Sequence, residues 1–183
     1  DSLDALAKLT VLVVVLHESL DLSGISSIFS AVEVQEGITE LPDSFLTNSS
    51  TVESVTLPGS LTAIGSSAFA YINTLHEIVI PDSVTTIGPM AFSGCTNLRG
   101  LFLPDGTESI GTDAFGGCIN LEAIYVPVSV EHIASGCFDD CASLLYIFYG
   151  GIFEDWNALY SGYITPFTTA GCLGGNYDHG SEG

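Results

Sequence analysis

The sequence predicts a solenoid: short parallel β-strands stacked in about five to six coils, joined by short helical or turn-like connectors. Three observations predict it. The stretches VIPDSVTTIGPMAFSGCTNLRGL (Val79 to Leu101) and FLPDGTESIGTDAFGGCINLEAI (Phe102 to Ile124) repeat one pattern end to end, with a period of 23 residues. Four slots keep that register: Pro58, Pro81, Pro104 and Pro127; Phe69, Phe92, Phe115 and Phe138; Ile64, Ile87, Ile110 and Ile133; Leu75, Leu98, Leu121 and Leu144. Finally, one unit is too small to bury its own apolar face, so the units must stack on one another to close a core.

The elements follow in chain order. At the start the period is faint: Leu9, Val11, Val15 and Phe29 occupy apolar slots, but Glu18 falls in one too. VEVQEGITELPDSFLTNSSTV is a weaker unit with Val32, Val34, Ile38, Leu41, Leu46 and Val52 in the apolar slots. From there HEIVIP, RGLFLP, EAIYVP and LYIFYG read as strands, by alternation and by β-branched and aromatic content. Ile78 and Ile80 face inward and Val79 outward. Proline ends each strand because it has no N–H for a ladder. SVTTIG is a second extended piece, closed by a glycine that can take a positive φ. AFSGCTNL carries Ala91, Phe92, Cys95 and Leu98 back to the next strand at helix-like or turn-like spacing. The expected division is residues 1–31 as an N-terminal cap or degenerate repeat, 32–149 as repeats, and 150–183 as a C-terminal cap with a glycine-rich tail.

The unit IPDSVTTIGPMAFSGCTNL resembles the BspA-like class of leucine-rich repeat, through Ile80, Pro81, Ser83, Val84, Thr85, Ile87, Gly88, Ala91, Phe92, Gly94, Cys95 and Leu98. YIFYGGIFEDWNAL (Tyr146 to Leu159) is similar to the aromatic, Gly-Gly, Trp-Asn segment that follows the last coil in that family. The resemblance is strong over residues 55–160 and stops in the tail. It implies a leucine-rich-repeat solenoid in a secreted or surface-displayed, non-enzymatic protein that adheres to other proteins.

Composition narrows the partners. The chain has 183 residues, 46% of them apolar, and 22 acidic side chains against two basic ones, Lys8 and Arg99. A formal charge of −20 excludes nucleic acid and anionic membrane surfaces, which need Lys and Arg in number. The longest apolar run, Val11 to Leu16, is far short of the roughly 20 residues of a membrane-spanning helix, so membrane insertion is not expected. The start lacks the positive charge of a signal peptide; because it begins at Asp1, both a removed leader and a trimmed chain are consistent with it.

Cofactors and catalysis find no motif. There is no GxSxG elbow, HExxH pair or phosphate-cradling loop, no calcium-loop spacing and no paired zinc spacing. His17, His76, His132 and His179 share no column. No catalytic residue, metal or cofactor is expected. Cys95, Cys118 and Cys141 fill one slot that holds Ile72 in the preceding coil, and therefore read as a buried, reduced thiol ladder. Cys137 sits in an alanine slot, and a bridge from Cys172 to Cys137 or Cys141 would pin the tail.

The outward columns carry the candidate site. One column runs Thr56, Val79, Phe102, Tyr125, Phe148; its neighbour ends in Tyr146, with Trp156 placed near the end of both. These rings are expected to form one patch on the concave face, rimmed by Glu77 and Glu122. Asn48 begins the one glycosylation sequon, NSS. Two functions follow: adhesion to another protein or a glycan through the concave face, at the cell surface or outside it; or a structural subunit stacking end to end on copies of itself through the apolar runs LTVLVVVL and YITPF.

Overall fold

In a computed structural model, residues 11–14 and 29–160 are described. The described strands are of two kinds. The longer ones are β1 (Val11–Val14), β2 (Ala31–Val34), β4 (Ser54–Thr56), β7 (Gly100–Phe102), β9 (Ala123–Val126) and β11 (Tyr146–Tyr149). The shorter, two residues each, are β3 (Glu40–Leu41), β5 (Ala63–Ile64), β6 (Thr86–Ile87), β8 (Ser109–Ile110) and β10 (His132–Ile133). A helix, α1 (Phe153–Leu159), follows β11.

Every pairing among the described residues is parallel, and the sequence slots become the ladder register: Ile64 beside Ile87, Ile87 beside Ile110, Ile110 beside Ile133. The short strands form one continuous five-stranded sheet, in the order β3-β5-β6-β8-β10. The long strands form two three-stranded sheets, β1-β2-β4 and β7-β9-β11. Between them the HEIVIP segment, expected to be a strand, has no ladder pairing. Ile78 and Ile80 are nevertheless buried, and the short-strand pairing of Ile87 holds that coil in register. Packing and the other sheet keep the stack continuous where this ladder lapses.

Among the described residues the connectors between coils are turns, not helices. In each of the five described connectors two residues four positions apart take left-handed φ: Ser44 with Asn48, Ser67 with Tyr71, Met90 with Gly94, Asp113 with Gly117, and Gly136 with Asp140, all between 53° and 73°. A right-handed helix cannot pass through either position. The backbone donors are instead divided between neighbours. Ser67, Phe69 and Tyr71 give their N–H groups to Pro89, Ala91 and Ser93 of the next coil, whereas Ala68, Ala70 and Ile72 bond back three residues. Alternate N–H groups thus tie coil to coil, and the rest close the turn, so buried backbone is satisfied without a helix.

The core is a column of rings. Phe69, Phe92 and Phe115 are fully buried and stack at 5.1 Å and 5.6 Å, with Phe138 continuing the column 5.8 Å beyond Phe115. The column starts at Leu46, so Phe45, in the alanine slot of its coil, meets Phe69 edge-on at 6.2 Å. Gly65, Gly88 and Gly111 correct one expectation. None has positive φ; a Cβ on Gly88 would lie 2.8 Å from Ile64 O, and one on Gly111 2.4 Å from Pro89 N. These glycines serve close approach of the coils rather than a left-handed turn.

Trp156 is also corrected. It is buried, 5.5 Å from the Tyr149 ring and 5.6 Å from Tyr160, which in turn meets Phe138 at 5.7 Å. On α1 it closes the end of the core instead of joining an exposed patch. Lys8, Glu18, His17, His179, Cys172, the YITPF run and the tail lie outside the described residues.

Candidate functional site

Strand alternation sets the site. Leu101, Ile124 and Ile147 point into the core, so Phe102, Tyr125 and Phe148 point out from adjacent rungs of one ladder. Val79 (82% exposed) and Phe102 (62% exposed) are the most open of the column's large apolar side chains, and Tyr146 is exposed beside it. Phe102 and Tyr125 stack face to face, with centroids 4.4 Å apart and planes 5° from parallel. Phe148 does not extend that stack. It pairs with Tyr146 two residues away on its own strand, at 5.8 Å and 14°. The expected row is therefore two ring pairs, one across strands and one within a strand.

Carboxylates stand on both edges of the column, and His76 and Arg99 share the row of Glu53 and Glu122. In the turns after β2, HEIVIP and β7 stand Glu36, Asp82 and Asp105, and just before β4, in HEIVIP and just before β9 stand Glu53, Glu77 and Glu122; all six are exposed. The Tyr125 hydroxyl donates to Asp105 Oδ1 at 3.4 Å. Burial against its neighbours, then the Asp105 carboxylate, raise the Tyr125 hydroxyl above its ordinary pKa. Sequence reading missed that pairing, although Asp105 stands three residues past Phe102 and thus in the turn beside the ring column.

The thiol slot is a core feature. Cys95, Cys118, Cys137 and Cys141 are buried and unbridged. The Cys95, Cys118 and Cys141 thiols donate to the carbonyls of Phe69, Phe92 and Phe115 at 3.0, 3.1 and 3.1 Å. Burial pushes the Cys95 thiol from 9.0 up to about 12 and the Cys141 thiol up to about 11, and raises Cys118 and Cys137 too. Such thiols are poor nucleophiles. Reagent should label Cys95 and Cys118 only after denaturation; rapid labelling of the native protein would place the column on the surface. Stability should also depend on pH. Below 9.0 both states keep the Cys95 proton, while between 9.0 and about 12 only the folded state does, so stability is lost as pH rises through that window. Denaturant midpoints across this range would show the fall, and Cys95→Val should make it shallower, since Cys118, Cys137 and Cys141 still contribute.

Asn48 is exposed on the connector flank, with φ of 59° and its backbone N–H bonded to Ala70 O. His76 bonds through Nδ1 to Thr74 O, and His132 lies on β10, so the two share no site. Among the described residues no group of three His, Cys, Asp or Glu converges as a metal site, and no helix is long and apolar enough to cross a membrane.

The family model for the BspA type leucine rich repeat region matches residues 25–149 in 6 copies. Solved structures show the same architecture. A leucine rich cell surface protein from Faecalibacterium prausnitzii is 32% identical, with a TM-score of 0.68 over 71% of this chain and 34% of its own. The pneumococcal vaccine antigen PcpA is 26% identical, with a TM-score of 0.63 over 68% of this chain and 31% of its own. A leucine rich repeat protein of T. pallidum shares the fold at 24% identity, with a TM-score of 0.65 over 74% of this chain and 72% of its own. The chain thus spans about a third of the length of the first two. No curated protein gives a significant match.

Proposed function

Since the chain belongs to the BspA-type leucine-rich repeat family, we propose that it is a non-enzymatic recognition module of a cell-surface or extracellular protein, adhering to another protein or a glycan through its column of outward rings. The observation that carries the reading is the Phe102–Tyr125 stack, aromatic surface held open to water on a rigid ladder. Contiguous exposed apolar surface marks interfaces, and aromatic side chains supply most of the binding energy there. The similarity to a protein described as a leucine rich cell surface protein supports the location.

The test is the double change Phe102→Ala with Tyr125→Ala. Both rings leave the core untouched, so the melt should move little, by about 0.5 kcal/mol or less per ring. Retention of the protein on a surface coated with extracellular matrix should fall at least about tenfold. A melt lowered by several kcal/mol would show capped core instead of a docking surface, and unchanged retention would leave the stack without this role. Nothing among the described residues favours end-to-end stacking. Part of LTVLVVVL forms β1 and pairs with β2, and YITPF lies outside the described residues.

A further inference from the structure

Phe102 is the exposed ring of its column, whereas Tyr125 and Phe148 are half-buried. Tyr125 lies on one face, 4.4 Å away. Toward the preceding coil the same column holds Val79, too short to reach across a rung and itself 82% exposed. The column therefore descends in a step from Phe102 to Val79. Two carboxylates of the Val79 coil flank that step, Glu77 two residues before Val79 and Asp82 three residues after it, both exposed. Farther along, Glu36 and Asp105 extend one edge and Glu53 and Glu122 the other, where His76 and Arg99 stand between them in the same row. Among the described residues Arg99 is the one basic side chain, against this acidic excess.

Resting on the recognition reading above, we propose that the step between Val79 and Phe102 is a socket for an arginine or lysine side chain of a basic protein segment laid along the column. A planar guanidinium fits the site on three counts. It stacks on an open aromatic face, it lies over the apolar Val79, and its N–H fork reaches carboxylates on either side. The surrounding rows of carboxylates supply the long-range field that steers a basic segment in and disfavours an acidic one. A neutral glycan would use the ring but gain nothing from the flanking charge.

The experiment measures affinity of the whole chain for two short peptides, alternating arginine–serine and alternating glutamate–serine, by calorimetry at low and high salt. The arginine peptide should bind, more weakly as salt rises, and the glutamate peptide should not. Val79→Phe should fill the step and cut the affinity at least about tenfold with an unchanged melt, because position 79 faces water. Glu77→Gln with Asp82→Asn should weaken binding and flatten its salt dependence. Asp139→Asn with Asp140→Asn removes as much charge on the connector flank and should barely change affinity. Equal losses from the two charge pairs, or full affinity in Val79→Phe, would overturn the socket. If these variants keep full retention on the matrix-coated surface while the Phe102/Tyr125 double change abolishes it, recognition stands and the basic partner falls. If the double change has no effect either, both fall.

Discussion

Phe92→Ala is expected to lower the unfolding free energy by about 3–5 kcal/mol, the cost of deleting a fully buried aromatic side chain. Phe92 is 0% exposed and stacks between Phe69 and Phe115, so its loss leaves a void with a ring on either side. Backbone bonds tie both flanking coils to this one, through Phe69 N to Ala91 O and Phe92 N to Ala114 O, and they resist collapse into the void. Urea denaturation of the two proteins would measure the loss. A change below about 0.5 kcal/mol, typical of surface substitutions, would mean that the ring is not in the core. Phe138→Ala, at the end of the column against Tyr160, should cost less because fewer coils depend on it.

The second large effect is expected from Gly111→Ala. The added methyl would sit 2.4 Å from Pro89 N and 2.6 Å from the Gly88 carbonyl carbon, and both belong to backbone that cannot rotate away. The coils must separate, straining the Thr86–Ser109 and Ile87–Ile110 pairings on that edge. Overpacking of this kind costs about 1–3 kcal/mol. Ala134 occupies the same slot in the last coil, where β10 is the terminal strand of its sheet and has room to give. Gly111 has coils on both sides. Unfolding at an unchanged denaturant midpoint in Gly111→Ala would show that the coils are more loosely spaced than drawn.

Much of the candidate site was readable in advance, because a period of 23 places any two equivalent residues on adjacent rungs. Phe102 and Tyr125 followed from it directly and are stacked. Phe148 occupied the right column, but its ring pairs with Tyr146, since two rings on alternate positions of one strand share a face and compete with the cross-strand neighbour. Trp156 could not be placed from the repeat, because it lies beyond the last coil, and only the folding of α1 onto Tyr149 and Tyr160 put it in the core.

By itself the sequence determined the stacking, the parallel register and the inward and outward columns. Each is a consequence of periodicity, which acts locally and identically in every unit. Only tertiary structure decided how the connectors run, why the glycines stand where they do, and where the ladder lapses. Apolar spacing in AFSGCTNL is compatible with a helix. The left-handed residues that forbid one include Ser67, Tyr71 and Met90, whose side chains give no sign of that backbone. Their conformation is held by N–H groups bonded to a coil 22 residues ahead, an interaction absent until the coils have stacked. Gly88 likewise reads as a turn residue in one coil, and only the neighbouring coil's backbone, 2.8 Å from where its Cβ would be, shows that the glycine is there to let two coils touch.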